Sequence, residues 1–261
     1  MSFTRAIVRP PARTFASGLS SAGSGAPDLG LALQQHASYV QALRDCGVAV
    51  KSLPPDDAFP DGTFVEDTAV ATGRGAVLTR PGAPSRAGEV AGVAPSLREV
   101  YADTPPISAP GTVDGGDVCE ADGHFLIGIS ARTNAAGAAQ LAAFLDRWGY
   151  RSSTIDIRSN PALLHLKSGI AYLDSGLWVI ESSFQDELRR QDFVSATDVI
   201  TAGANEAYGA NCLSVNGTVF LASGHPGLLS ELKSRGRRVL QLDVSEFKKM
   251  DGGLSCLSLR F

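Results

Sequence analysis

No stretch of this sequence is apolar for the roughly 20 residues a membrane-spanning helix needs, so no membrane span is expected. The opening MSFTRAIVRP lacks the apolar core of a secretory signal, and a cytoplasmic location is expected. Lysines and arginines are scattered, with no basic face or tail, which argues against a nucleic-acid partner. Cys46, Cys119, Cys212 and Cys256 include no CxxC pair, which removes a zinc ribbon. In a reducing compartment they are free thiols. Charged residues are scarce at 19%, while 44% of residues are hydrophobic, so the chain forms a sizeable core and is not disordered. Residues 1–261 are expected to form one domain of modest net charge, −4.

What the chain does have is a repeat. Four times, two short apolar runs flank a tight turn. Phe64–Val70 leads through Thr72-Gly73-Arg74-Gly75 into Ala76-Val77-Leu78. Asp117–Glu120 turns at Asp122-Gly123 into Phe125-Leu126-Ile127. Gly169–Leu173 turns at Ser175-Gly176 into Leu177–Ile180, and Cys212–Val215 turns at Asn216-Gly217 into Val219-Phe220-Leu221. Asp-Gly and Asn-Gly between apolar runs predict hairpins, because type I′ turns need positive φ at both central residues. Helical patterns follow, as in Gly137–Leu145, and strands follow most helices, as in Thr154–Ile157 and Val239–Leu242.

The chain begins with a strand, Arg5–Arg9, and ends with one, Gly253–Leu259. Pairing these two completes a fifth unit and protects the strand edges. The expected fold is therefore α/β: a five-unit (ββαβ) αβ propeller with pseudo-five-fold symmetry, helices outside and the first strand of each unit lining a central channel. The rival is an open α/β sheet, which hairpins fit poorly.

Such a channel gathers Asp61, Glu66 and Asp67 from the first hairpin, Asp114 and Asp117 from the second, His165 before the third and Cys256 from the last strand. Each has an ordinary alternative. A buried cysteine is usually a small hydrophobe, and position alone does not separate Cys256 from Cys212. His165 lies among leucines and fits a core histidine. His36 fits a helix surface, and Arg86 and Arg132 individually fit an exposed surface. Asp114-Gly-Gly-Asp117 fits a simple turn. Glu66-Asp67 is harder to dismiss, since charges inside an apolar strand must be paired or meet a ligand.

Several segments jointly resemble the dimethylarginine dimethylaminohydrolases, a branch of the guanidine-modifying superfamily that also contains arginine deiminase. They are Phe64-Val-Glu-Asp67, Thr79-Arg-Pro-Gly-Ala-Pro-Ser-Arg86, Asp114-Gly-Gly-Asp-Val118, Ser130-Ala-Arg-Thr-Asn134, Leu164-His-Leu-Lys167, Ala210-Asn-Cys212 and Asp251-Gly-Gly-Leu-Ser-Cys256. They run in the family's order over nearly the whole chain. The resemblance implies the five-unit propeller. It implies Cys256 as nucleophile, His165 as general acid and base, and Asp114 orienting the imidazole or the substrate. It implies that Phe64 lines the substrate site, that Glu66 and Asp67 face the guanidinium, and that Asp61 and the backbone near Asp251 hold the α-amino group. Arg86 and Arg132 would grip the α-carboxylate. Leu19 falls in a small-residue stretch, 16–26, that resembles the family's mobile lid. Lys167 stands where deiminases carry an aspartate, which favours an N-methylated arginine as substrate.

The implied reaction releases citrulline and dimethylamine or methylamine through a covalent amidino adduct on cysteine. It needs no metal or organic cofactor, and one candidate histidine with scattered acids makes no metal-ligand set. The expected partner is a small arginine-derived substrate, with the protein a monomer or homodimer. The alternatives are a guanidine hydrolase acting on arginine or another N-substituted arginine, an amidinotransferase, and a binding module without turnover.

Overall fold

A computed structural model describes residues 2–191 and 199–261. The chain is α/β. In order it forms β1 (Arg5–Val8), α1 (Leu29–Asp45), β2 (Ala49–Ser52), β3 (Ala69–Ala71), β4 (Ala76–Leu78), α2 (Glu89–Arg98), β5 (Val118–Ala121), β6 (His124–Ile129), α3 (Ala135–Arg147) and β7 (Arg151–Asp156). It continues through β8 (Ile170–Tyr172), β9 (Trp178–Ile180), α4 (Gln185–Arg189), β10 (Val199–Thr201), β11 (Leu213–Val215), β12 (Thr218–Ala222), α5 (Pro226–Ser234), β13 (Arg238–Leu242), α6 (Ser245–Lys248) and β14 (Leu259–Arg260).

Among the described residues the strands form five separate small sheets, so neither one open sheet nor one closed sheet is present. The four expected hairpins are found: β3–β4, β5–β6, β8–β9 and β11–β12 are antiparallel pairs. Their turns take the positive φ that Asp-Gly and Asn-Gly signal, 48° and 79° at Asp122-Gly123 and 48° and 82° at Asn216-Gly217. After a helix, a third strand returns parallel to the second, as β7 does to β6 and β13 to β12. The last strand pairs with the first, Arg260 opposite Ala6, and β2 lies parallel on the other edge of β1. Among the described residues the β3–β4 pair has no third strand. Only Pro106 bridges Leu78 there, because Pro105 and Pro106 bring no N–H to a ladder.

The strands are apolar on both faces, and the two faces feed different cores. Ile7 packs with β3, β4 and α2, while its neighbours Ala6 and Val8 pack with β11, β12 and α1. Phe125 and Ile127 join β3, β4 and α3, while Leu126 between them joins β8, β9 and α4. Val219 and Leu221 pack against β8, β9 and α5. Four of these cores are each shared by two sheets consecutive in the chain, and the core around Ala6 and Val8 is shared by the fifth sheet, β11–β13, and the first. Helix starts are set locally: the Asp28 carboxylate accepts from the Leu31 amide at 2.8 Å, and the Asn134 side chain from Gly137 at 2.8 Å.

His36 departs from the expected helix-surface position. It is buried on the inner face of α1, and burial lowers its imidazole pKa to about 4, although a backbone contact with Arg9 opposes this. Because helix period alone does not say which face of α1 is covered, the reading from sequence failed here. The unfolded chain takes up this proton near pH 6.5 and the folded chain only near pH 4. Stability from neutral His36 is therefore complete above pH 6.5 and is lost as pH falls toward 4. Between pH 7 and pH 5 the expected loss is about 2 kcal/mol. Urea unfolding at the two pH values should show a clearly smaller loss in His36→Gln.

Candidate active site

Four of the inner strands, and the final strand β14, are preceded by a short 3-10 turn: Val65–Thr68, Gly115–Asp117, Leu166–Ser168, Ala204–Ala210 and Ser255–Leu257. These turns, not the strands, carry the polar residues. Glu66 and Asp67 lie in the first and Cys256 in the fifth, whereas the sequence pattern predicted strands at both places. Asp114 and His165 stand immediately before the second and third. The turns touch one another in sequence order. The circuit is joined where Asn211, just past the fourth, donates to the Ser255 hydroxyl at 3.0 Å and accepts from its amide at 3.0 Å.

A 3-10 turn rotates successive side chains by about a third of a revolution, so adjacent residues face different ways. Asp67 lines a small cavity of about 20 Å³ together with Leu19, Asp61, Phe64, Arg86, Arg132, His165, Asp251 and Cys256. Leu164, Met250 and Gly252 complete its wall. Sequence reasoning missed those three, and their adjacency to His165 and Asp251 was the only available signal. Glu66 faces the other way. It lines a separate cavity of about 150 Å³. Its carboxylate meets Lys167 Nζ at 2.6 Å, the Ser255 hydroxyl at 2.9 Å and Arg260 Nη2 at 3.2 Å. The expectation that Glu66 faces a guanidinium beside Asp67 is corrected accordingly: its oxygens are engaged behind the Cys256 turn.

The imidazole is held from several sides. Asp114, fully buried, places Oδ2 3.0 Å from His165 Nε2, and its Oδ1 accepts from the Gly82 amide at 2.7 Å. Asp117 accepts from the Leu166 amide at 2.9 Å and from Ser130 and Thr133 hydroxyls at 2.6 Å each, which fixes the backbone just after His165. A Cβ on Gly116 would lie 2.8 Å from His165 Nδ1, so only glycine allows this approach. Burial pulls the His165 pKa down, but Asp67, Asp117 and Asp114 outweigh it and raise the pKa to about 9.

Cys256 is half-buried, and its sulfur accepts from the Gly253 amide at 3.4 Å. Burial, then the negative charges of Glu66 and Asp67, push its thiol up to about 12. The free site thus holds a protonated imidazole and a neutral thiol at neutral pH. Burial opposes ionisation of Asp67, but His165 and Arg86 hold it well below the usual carboxylate range. Asp67 therefore stays ionised, with Arg86 paired to one oxygen and the Gly116 amide donating to the other at 2.8 Å.

Arg86 is not the surface residue its position alone suggested. It is buried, with Nη1 2.5 Å from Asp67 and Nη2 2.7 Å from Glu89. Nε also meets Glu89 at 3.0 Å, and Nη2 donates to the Phe64 carbonyl at 3.0 Å. One N–H remains for any ligand, so the expected grip on a carboxylate is at most partial. Replacing it strands two buried carboxylates: Arg86→Met is expected to cost about 3–5 kcal/mol of stability, read by urea unfolding. Arg132 is freer: among the described residues its guanidinium makes one long contact, 3.4 Å to Asp114.

The small-residue stretch reaches the cavity through Leu19. The Leu19 amide donates to both Asp61 oxygens, at 3.0 and 3.2 Å, and the Ser21 amide to the Asp251 carboxylate at 2.5 Å. Burial raises the Asp61 pKa, against the opposing effect of Arg86 and the Leu19 amide. A Cβ on Gly252 would lie 2.2 Å from the Phe64 ring, so the glycine lets the turn before Cys256 pack on that ring. Asp67, Asp114 and His165 lie close enough to hold a metal ion in principle. Arg86 and Arg132 already compensate that charge.

A family model described as arginine deiminase matches residues 57–215. A dimethylarginine dimethylaminohydrolase of Pseudomonas aeruginosa is 42% identical over 260 residues, covering 99% of this chain and 100% of the relative. A solved structure of a cysteine-to-serine mutant of the Pseudomonas aeruginosa enzyme, complexed with citrulline, superposes with a TM-score of 0.95 at 41% identity, covering 100% of both chains. A solved adduct of a histidine-to-glycine dimethylarginine dimethylaminohydrolase with S-methyl-L-thiocitrulline gives 0.94 at 42% identity, covering 99% of this chain and 100% of that one.

Proposed function

This chain belongs to the dimethylarginine dimethylaminohydrolase family and is a hydrolase that converts N-methylated arginine to L-citrulline, and we propose that it does so through a covalent adduct on Cys256. The observation that carries the proposal is one small acidic cavity lined by Cys256, His165 and Asp67. The solved relatives support it: a serine variant holds citrulline, and a variant lacking a histidine holds an adduct.

A guanidinium is a delocalised cation and a weak electrophile. Asp67 holds it planar and protonated in the pocket. The incoming cation favours loss of the Cys256 proton, because a nearby positive charge stabilises thiolate. Sulfur attacks the central carbon. His165, already protonated, gives its proton to the dimethylamine or methylamine, which cannot leave as an anion. A cationic thiouronium remains on sulfur. Neutral His165 then takes a proton from water as that water adds to the carbon. The carbon–sulfur bond breaks, the proton left on the added oxygen passes to the departing sulfur and replaces the thiol proton lost to solvent on substrate entry, and neutral citrulline departs. Asp114 keeps the imidazole aimed throughout. Arg132 grips the α-carboxylate, Asp61 and the turn at Asp251 receive the α-amino group, and residues 16–26 cover the site through Leu19. The residues of this chain suffice for the reaction.

Five sheets with cyclically shared cores support a five-unit αβ propeller as the frame. Four free thiols suit a reducing, cytoplasmic setting.

The match to the arginine deiminase model favours plain arginine as the second reading. Lys167, spent on Glu66, offers no carboxylate to the unsubstituted nitrogens of arginine, which supports methylated substrates. An end-point assay across arginine, monomethylarginine and both dimethylarginines should give citrulline with dimethylamine from asymmetric dimethylarginine. Ammonia from arginine as the dominant product would overturn the substrate choice.

A further inference from the structure

We infer that Arg260, next to last in the chain, is a positioning residue for the nucleophile, holding both ends of the Cys256 turn to Glu66 with one guanidinium. The inference rests on Cys256 being the nucleophile. Arg260 sits on β14, where pairing with β1 fixes its backbone. Its Nη1 donates to the Ser255 carbonyl at 3.1 Å, the Ser258 carbonyl at 3.0 Å and the Ser258 hydroxyl at 2.7 Å. Those carbonyls lie one residue before Cys256 and two after it. Nη2 reaches Glu66 at 3.2 Å. Two further bonds close the network: the Ser255 hydroxyl donates to the other Glu66 oxygen at 2.9 Å, and Tyr39 and Ser258 hydroxyls meet at 2.7 Å. Among the described residues, the side chain lines the larger cavity with Glu66 and not the small one with His165, so it acts through the turn and not on the substrate.

Two consequences follow from a planar fork in this position. The turn is fixed at both ends, so the Cys256 sulfur keeps one place relative to His165. The Glu66 charge, which disfavours ionisation of Cys256, is offset by a cation that stays charged at every working pH. Among the described residues, the other charged or titratable groups around that sulfur are Asp67, His165, Lys167 and Tyr208, with Asp61, Arg86, Arg132 and Asp251 lining the same small cavity. Lys167 shares the compensation of Glu66 but touches neither carbonyl of the turn. A lysine at 260 would keep the charge and lose the span between carbonyls.

The test compares Arg260→Gln and Arg260→Lys with the unmodified enzyme, with folding followed by circular dichroism. Citrulline release from asymmetric dimethylarginine is measured alongside iodoacetamide labelling of Cys256 at pH 9, read by peptide mass. In Arg260→Gln, kcat should fall roughly ten- to hundredfold with KM changed by less than about threefold. Labelling of Cys256 should slow by about threefold to tenfold, since the Glu66 charge, then compensated by Lys167 alone, disfavours thiolate more strongly. Arg260→Lys should restore the labelling rate but not kcat. If Arg260→Gln keeps kcat and labelling within about twofold of the unmodified enzyme, or loses activity only in proportion to its folded fraction, Arg260 does not position the nucleophile. If Arg260→Lys labels as slowly as Arg260→Gln, charge compensation is likewise overturned. Absence of citrulline from the unmodified enzyme would instead count against the hydrolase reading itself.

Discussion

Cys256→Ser is expected to lower citrulline release by roughly four to six orders of magnitude, with the fold intact. The size follows from what the sulfur supplies. A guanidinium carbon resists neutral nucleophiles, and a serine hydroxyl is far harder to ionise than a thiol beside the carboxylates of Glu66 and Asp67. The change removes one atom's worth of polarisability and little volume, so the Gly253 contact and the surrounding turn should survive. Substrate should still bind, because Asp67 and Arg132 are untouched. The measurement is single-turnover citrulline formation, with binding of asymmetric dimethylarginine followed by calorimetry. Loss of binding together with turnover would point to a collapsed site in place of a missing nucleophile. Cys212→Ser provides the contrast. That thiol is buried among apolar neighbours, which push it up to about 12, and it should lose little activity.

His165→Gly should be nearly as damaging toward dimethylarginine, lowering kcat by roughly two to four orders of magnitude. The second half of its signature is more specific. S-methyl-L-thiocitrulline carries a thiol leaving group that departs without a donated proton. With this substrate Cys256 should still attack in the His165→Gly variant. Without a base to activate water, the adduct should then accumulate and be visible as added mass on the Cys256 peptide. Asp114→Asn should resemble a weaker version of the same defect. It keeps the contact of 3.0 Å to Nε2 but removes one of the charges that hold the imidazole protonated up to about pH 9. The alkaline limit of kcat/KM should therefore move to lower pH. An unchanged pH profile in that variant would mean Asp114 does not tune His165.

The hairpins were readable because their cause is local. Asp122-Gly123 and Asn216-Gly217 adopt positive φ whatever surrounds them, and they announce it in two letters. The apolar runs between them fixed the repeat and the pairing of the first and last strands. The conformation of the polar segments was not readable. Glu66-Asp67 sits in a 3-10 turn against which distant backbone fits closely, as Gly115 does against the Glu66 carbonyl. Adjacent residues face opposite ways in a strand as well, so the unreadable part is which cavity each of Glu66 and Asp67 lines. Arg86 pairs locally with Glu89, three residues on, but also with Asp67, nineteen residues back, and only the folded chain reveals the second partner. Membership of Cys256, rather than Cys212, in the site likewise depended on the family resemblance, since both thiols stand between a polar residue and a leucine in sequence.

Turnover through sulfur makes one observation decisive. Mix the enzyme with asymmetric dimethylarginine, quench in acid within the first turnovers, digest, and weigh the peptide that contains Cys256. A transient amidino adduct on that sulfur, rising before free citrulline and decaying with it, is the predicted result. Full citrulline production while every Cys256 peptide remains unmodified, in an enzyme equally active as Cys256→Ser, would contradict it.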